Sequence, residues 1–412
     1  MKIVDVKTFM VGLSPVSDWS FVKLITDEGI EGIGEASVPF TSAATALMID
    51  DMARDILIGA DPHKIEKIWT LLYCGRNCEH PDLTRLGIIS ALEMACWDII
   101  GKAANQPVYN LLGGKFHDKI RAYVYLGIPV DDKTQNLWRD TKAIGEKAIE
   151  YVENGFTAIK IDPVQTFIGI GALGPRELSL EILRVAEAII KSIREAVGDR
   201  CDICIGTHGQ MTTHAAISLA KRLEDYHPLW FEEPVRGENT DEMARVAHAT
   251  SIPVATGERL STKWEFGDLL EKQAASIMQF CVSRVGGLLE AKKIAGMSEV
   301  HYAQIAPFCG SLSPVTVAAS LQLDTCSPNF LIQEANGIMP PALQTPANRI
   351  CAELINDGLK LENGYIILPD KPGLGINFNE KVAAKYPPHT NQTMNWHWKG
   401  ILGSGLGTEI TV

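Results

Sequence analysis

The chain has 412 residues, with 38 Lys and Arg against 50 Asp and Glu and a formal net charge of −12. No dense Lys/Arg run is present to follow a phosphate backbone, which argues against a nucleic-acid partner. No apolar run reaches the roughly 18 to 20 residues that cross a bilayer, and the start MKIVDVKTFMVGL lacks the parts of a signal peptide, so no membrane partner and a cytoplasmic location are expected.

The length suits one barrel plus a modest second domain. Residues 2–12, 20–27 and 31–37 cluster or alternate apolar residues around the turn Asp27-Glu28-Gly29, which predicts an antiparallel meander. Helical spacing follows over 42–58, 63–73 and 83–104, with Ser90, Ala91, Ala95 and Ala103 offering small faces for close packing. Residues 1–115 thus read as an α+β capping domain, closed by Leu112-Gly113-Gly114. From 120 onward short β-rich runs alternate with amphipathic segments: 121–127, 157–162, 202–206, 229–233, 253–257, 276–280, 301–306 and 329–334. Helix-length segments such as 178–198, 212–225, 241–249 and 287–297 separate them. The pattern predicts the α/β class with a (β/α)8-type barrel over 116–344. A Gly-rich phosphate loop after the first strand would favour a doubly wound sheet, and none is present. Residues 345–412 carry the turn signals Asn363-Gly364 and Pro372-Gly373 with hairpin character over 359–368, and are expected to return to the capping domain.

The nine cysteines are scattered from Cys74 to Cys351 and read as thiols in a reducing compartment. The close pairs Cys74/Cys78 and Cys201/Cys204 lack a second Cys or His pair at zinc-knuckle spacing. In a barrel, residues at the C-terminal strand ends converge on one mouth. Those positions hold Lys160 and Asp162, Thr207 and His208, Glu232 and Glu233, Glu258 and Arg259, Cys281, Phe308 and Cys309, and Glu334. Glu232 and Glu258 are hard oxygen donors of the kind Mg²⁺ prefers; the alternative is that they are ion-paired to Lys160 and Arg259. They stand 26 positions apart, and the same interval back from Glu232 falls on Gly206, where a third carboxylate is missing.

The motifs FEEP at 231–234, TGER at 256–259 and VGG at 285–287 resemble those of the enolase superfamily in its mandelate racemase/muconate lactonizing enzyme branch. Support extends through TDEGIEGIGEAS at 26–37, ALEMACWDIIGKAANQPVYNLLGG at 91–114 and PGLGI at 372–376. HGQ at 208–210, GERL at 257–260, IAP at 305–307 and NFLIQE at 329–334 are most similar to the sugar-acid (galactonate-type) dehydratases of that branch. The resemblance implies Mg²⁺-assisted removal of a proton next to a carboxylate, loss of a hydroxyl as water, a small hydroxylated carboxylate as substrate, and a homo-oligomer, dimer or octamer. By that resemblance Glu232 and Glu258 are metal ligands, His208 an acid/base, Glu334 an electrophilic or substrate-binding group, and Lys160 the first member of a Lys-x-Lys motif whose second is Asp162.

Three departures stand out. Position 206, a metal ligand in the family, is Gly206; the Asp and His of the family's general-base dyad are Cys281 and Phe308. A weakened Mg²⁺ site and a lost base are therefore expected. Substrate contacts are expected from Asp162, from Arg284, and from Asp18 and Trp19 in a loop 14–20 closing over the mouth. His208 has a purely structural alternative, and Cys281 and Cys309 read as buried thiols before nucleophiles, since no His is evidently paired with either. The reading is a divergent lyase dehydrating a sugar acid. Its alternatives are a non-catalytic or partner-subunit homologue, or a racemase or cycloisomerase on the same scaffold.

Overall fold

The computed structural model describes residues 1–14, 17–38, 42–75, 79–126, 140–168, 175–309, 313–356 and 358–388. These divide into two compact units, the first of residues 1–122, 257–267 and 278–388 and the second of 123–256 and 268–277.

In the first unit, β1 (Ile3–Ser14), β2 (Ser17–Thr26) and β3 (Glu31–Ala36) form the expected antiparallel meander. Its tight turn closes with Gly29 N donating to Thr26 O at 3.0 Å, and Gly29 takes φ 77°, a conformation glycine adopts without strain. The expected loop 14–20 is mostly strand, because β2 begins at Ser17 and pairs Asp18 with Gly12 and Trp19 with Val11. Alternation explains the difference: Trp19 and Phe21 point to one face and are both buried, which draws the chain into the sheet. Pro15 and Val16 lie outside the described residues.

Next come α1 (Ser42–Met52), continued by a π-helical turn at Ala53–Leu57, then α2 (Ile65–Cys74), α3 (Leu83–Ala103) and α4 (Val108–Leu111). Asp82 caps α3 by accepting from Thr84 N and Arg85 N. The small face of α3 lies directly on β3. A Cβ on Gly34 would stand 1.9 Å from Ala91 O, and one on Gly32 would stand 2.0 Å from Ala95 O. Around this contact Val22, Leu24, Ile49, Leu57, Ile68, Leu72, Ile88, Leu92 and Ile99 form the core.

All eight predicted β runs are strands: β4 (Ile120–Tyr125), β5 (Ala158–Ile161), β6 (Asp202–Gly206), β7 (Trp230–Glu232), β8 (Val254–Thr256), β9 (Ile277–Met278), β10 (Gln304–Ile305) and β11 (Gln333–Glu334). Between them stand α5 (Thr141–Glu153), α6 (Gln165–Ile168), α7 (Leu180–Val197), α8 (Thr213–Leu223), α9 (Thr240–Ala247), α10 (Lys263–Glu271), α11 (Leu288–Val300) and α12 (Pro314–Thr325). In the second unit β4 to β8 pair in parallel, in a register that sets Tyr125 beside Lys160, Lys160 beside Cys204, and Gly206 beside Glu232. Helix α7 buries Ala186, Ile189, Ile190, Ile193 and Val197, one stripe at three-and-four spacing, behind an N-cap in which Ser179 accepts from Ile182 N. Helix α12 is buried on every side, so it lacks a polar stripe to reveal its period.

The closing segment of the first unit contains α13 (Pro346–Leu354), β12 (Lys360–Glu362), β13 (Tyr365–Ile367) and α14 (Glu380–Ala383). The turn signals of 345–412 gave no hint of α13, whose start rests on a reciprocal capping box between Thr345 and Asn348. Asn363 and Gly364 both take positive φ, the geometry of a hairpin turn that follows the strand twist. Phe378 packs between Phe9 and Phe21 at 5.3 and 5.0 Å, Leu374 N donates to Asp98 Oδ1 at 2.9 Å, and Gly12 N donates to Tyr386 O at 2.9 Å.

The β3–α3 contact predicts that Gly34→Ala, which drives a methyl into backbone, lowers unfolding free energy by at least about 2 kcal/mol in a denaturant titration. Gly296→Ala in α11, whose Cβ meets open space, is expected to raise it by up to about 1 kcal/mol.

Candidate active site

In the second unit the strand ends carry two polar systems that meet at Tyr125. The first is an ion pair. Lys160, on β5, is buried and places Nζ 2.8 and 3.1 Å from the two carboxylate oxygens of Glu232 at the end of β7. Trp230 Nε1 donates to Glu232 Oε2 at 3.0 Å. The ammonium lies 4.7 Å from the Tyr125 ring centre and 5.3 Å from that of Tyr123, and Tyr123 meets Trp230 edge-on at 5.0 Å. A carboxylate in so apolar a wall is tolerable only with its charge matched and its oxygens hydrogen-bonded, and these residues supply both. The next residue, Glu233, lies just past the end of β7. It takes φ 42° and accepts from Thr256 Oγ1 at 2.6 Å.

The second system is a carboxylate–imidazole pair. His208 Nδ1 lies 2.8 Å from Asp162 Oδ2. Asp162 has no solvent exposure, and its carboxylate also accepts from Gln210 Nε2 at 2.8 Å, Val164 N at 3.0 Å and Gln165 N at 2.9 Å. Gln210 Oε1 in turn accepts from His208 N, which fixes the loop. With Nδ1–H donating to Asp162, Nε2 is left as the working nitrogen, 3.4 Å from the Tyr125 hydroxyl. The His208 side chain is 16% exposed, enough for its edge to meet a small molecule.

Gly206 sits where these systems adjoin. A Cβ built on it would lie 2.8 Å from Lys160 Cγ, Lys160 Cδ and the Tyr125 hydroxyl oxygen. Tyr125 Oη also donates to Gly206 O at 3.2 Å.

The first unit holds the other predicted residues. The Glu258 side chain is 22% exposed and stands 4.0 Å from Arg259 Nη2, while its main-chain oxygen accepts from Arg284 Nη1 at 3.3 Å. Arg284 also donates to Ser37 Oγ at 3.2 Å and sets its guanidinium 5.2 Å from the Phe308 ring centre. Phe308 thus serves as a cation–π platform for that arginine. Glu334 is buried. It accepts from Cys309 N and Asn336 Nδ2, each at 2.9 Å. Burial pushes the Cys281 thiol up to about 11, with Arg284 opposing, and raises Cys309 well above the thiol range. Both remain protonated near neutrality, which is poor chemistry for a nucleophile. Asp18 is half-buried in β2, and Trp19 is buried 6.1 Å from the Phe21 ring. Cys78 lies outside the described residues.

The sequence reading passed over Tyr123, Tyr125, Trp230 and Gln210. Gln210 is visible only as the last letter of HGQ, and the tyrosines stand on a strand whose C-terminal end offers no carboxylate, His or Lys. Among the described residues, no group of three or more His, Cys, Asp or Glu is arranged to hold a metal ion. With Lys160 across Glu232 and Gly206 offering no donor, the second unit does not fit the magnesium site that the resemblance implies.

Residues 143–382 match the enolase C-terminal domain-like family, and residues 8–113 match the mandelate racemase/muconate lactonizing enzyme N-terminal domain. The chain belongs to the mandelate racemase/muconate lactonizing enzyme family of the enolase superfamily. It is 31% identical to a D-galactonate dehydratase of Variovorax paradoxus (strain S110) over 98% of this chain and 99% of that protein. A D-galactonate dehydratase of Ralstonia pickettii (strain 12J) is 33% identical over 94% and 95%. Among solved structures, a Burkholderia SAR-1 protein described as a candidate mandelate racemase/muconate lactonizing enzyme superposes with TM-score 0.88 at 47% identity, covering 95% of this chain and 96% of that one. These relatives carry the N-terminal capping domain and C-terminal (β/α)8-type barrel that the sequence predicts. No helix among the described residues is long and apolar enough to cross a membrane.

One buried acid predicts a pH dependence. Glu35, which accepts from Thr316 N at 2.9 Å and from Thr316 Oγ1, is raised to about 7 by burial, against the hydrogen bonds of Ser313 and Thr316 and the charge of Arg284. The folded state therefore keeps a proton that the unfolded chain releases near pH 4.5. Its contribution is present in full below pH 4.5 and is lost as pH rises through about 7. Glu35→Gln should flatten the decline in unfolding free energy across that window by about 3 kcal/mol, read from denaturant titrations at several pH values. An unchanged slope would place the effect elsewhere.

Proposed function

We propose that the chain is a carbon–oxygen lyase that removes water from a hydroxylated carboxylic acid of the sugar-acid class, with His208 as its acid–base group. The observation that carries this reading is the Asp162–His208 pair, a buried carboxylate holding one imidazole nitrogen so that the other can take and return a proton. The dehydratase relatives support the substrate class, and D-galactonate is the first compound to test.

In this mechanism Nε2 of His208 takes the proton from the carbon next to the substrate carboxylate. The C–H electron pair moves into the carboxylate as an enediolate. Collapse of the enediolate breaks the C–O bond at the neighbouring carbon, Nε2–H returns its proton to the departing hydroxyl, and water leaves. The resulting enol rearranges to a 2-keto-3-deoxy acid. Asp162 stabilises the imidazolium that exists between the two transfers. Tyr125, touching both Lys160 and His208, holds the two polar systems in fixed relation. The buried Lys160 ammonium contributes positive potential where negative charge develops. No step here passes through a metal ion.

A second reading, a homologue without catalysis, has its motive in Cys281 and Phe308, which replace the family's dyad. Incubation with D-galactonate and a panel of hexonates and pentonates, followed by detection of the keto acid, separates the two. Turnover is expected with at least one member, and His208→Asn should lower kcat by about 10² to 10⁴ while leaving the fold intact by circular dichroism. Asp162→Asn, which keeps the shape but offers the wrong tautomer partner, should lower kcat more than KM changes. Absence of keto acid from every substrate, or a fully active His208→Asn, would overturn the proposal.

A further inference from the structure

We infer that the Lys160 ammonium takes the place of a divalent metal at the end of β7, and that Gly206 is the residue that makes room for it. Glu232 is the kind of strand-end carboxylate that binds Mg²⁺, yet both of its oxygens lie within 3.1 Å of Lys160 Nζ. Gly206 is its register neighbour on β6, so a carboxylate there would complete a two-acid cradle with Glu232. The space for such a side chain is taken by the Lys160 stem and the Tyr125 hydroxyl, 2.8 Å from where a Cβ would stand. An aspartate at 206 and the present Lys160 conformation exclude each other. The aromatic faces of Tyr123 and Tyr125 favour a cation in that place, and an ammonium tethered to the chain needs no set of inner-sphere oxygen ligands. A fixed side-chain cation thus does the charge-neutralising part of the metal's work, and this site is independent of added divalent ions.

The inference rests on packing and charge and not on the dehydratase reading. Calorimetry and thermal melting test it without turnover, so a failed activity screen and a failed metal test are separate results. The probes are Mg²⁺ and Mn²⁺ added to the full chain after treatment with a chelator. The wild type is expected to show no stoichiometric heat of binding, and the same melting temperature with chelator or with either ion. Gly206→Asp alone should also show none, because the Lys160 ammonium, moved from its present conformation, remains as the counter-charge of the two acids. Gly206→Asp combined with Lys160→Met removes the cation and supplies the second acid. It should bind one Mn²⁺ per chain at least about 100-fold more tightly than the wild type, and melt at a temperature that rises with Mn²⁺ concentration.

If the double variant does not fold without metal, Lys160→Met/Glu232→Gln, which deletes both charges, keeps the test open. It should be more stable than Lys160→Met alone, because the single change leaves Glu232 buried without its ammonium. One equivalent of Mg²⁺ bound by the wild type, a melting temperature that falls on chelation, or metal binding gained by Gly206→Asp alone would overturn the inference. So would a folded Gly206→Asp/Lys160→Met protein that takes up no Mn²⁺.

Discussion

A carboxylate at the inner end of a buried strand has to be matched by positive charge, and the second unit is arranged around meeting that demand at Glu232. Removing one partner from a buried pair costs about 3 to 5 kcal/mol, far more than an exposed salt bridge contributes. That penalty explains why so many neighbours converge there. Trp230 donates to the same carboxylate, Tyr123 and Tyr125 enclose the ammonium, and Gly206 leaves its stem room to pass. A divalent ion answers the same demand by bringing two charges and requiring several oxygen donors. A lysine answers it with one charge and no further acids, so a site built around it can dispense with a third carboxylate.

Proton transfer obeys a looser geometric rule than metal binding. What an imidazole needs is a carboxylate on one nitrogen and access on the other, and nothing fixes which strands supply them. In the first unit, the positions the family uses for this pair hold Cys281, whose thiol stays protonated, and Phe308, which supports Arg284. In the second unit His208 and Asp162 meet those conditions instead. The buried carboxylate, tied down by two backbone amides and Gln210, is rigid enough to hold the ring in one orientation.

The parts of this arrangement that could be read from the sequence are those governed by local pattern. Short β-rich runs bounded by turn residues located all eight strands, and polar residues at their ends pointed to Lys160, His208 and Glu232. The weighing of a metal against an ion pair at Glu232 was also open to a reader of the sequence, but its outcome was not. It depends on whether the Lys160 stem can cross position 206, a matter of side-chain packing between strands 46 residues apart. Asp162 reads as a substrate contact because it stands at a strand end, two positions beyond Lys160, in place of the second lysine of the Lys-x-Lys motif. Its partner His208 lies as far away in sequence and is brought near only by the β5–β6 pairing. Asp18 and Trp19 read as loop residues because Pro15 and the serines on either side of it, Ser14 and Ser17, look like loop punctuation. The alternation of Trp19 with Phe21 outweighed those signals once the partner strand was present.

On the proposed reading, each departure from the family pattern in the second unit removes one function and installs another. A lysine at 162 would be a base, but it could not orient His208; Asp162 gives up the base and completes the dyad. An acid at 206 would be a ligand, but it would displace the Lys160 stem from its present course; Gly206 gives up the ligand and leaves that course open. The two exchanges are coupled through Tyr125, whose ring faces Lys160 and whose hydroxyl reaches both Gly206 O and the His208 ring. Reverting one position alone would therefore recreate neither arrangement: a lysine at 162 would strand His208 without its carboxylate, and an acid at 206 would press on a cation that already serves Glu232. Such matching between neighbours is what the proposed exchange of one electrostatic solution for another requires.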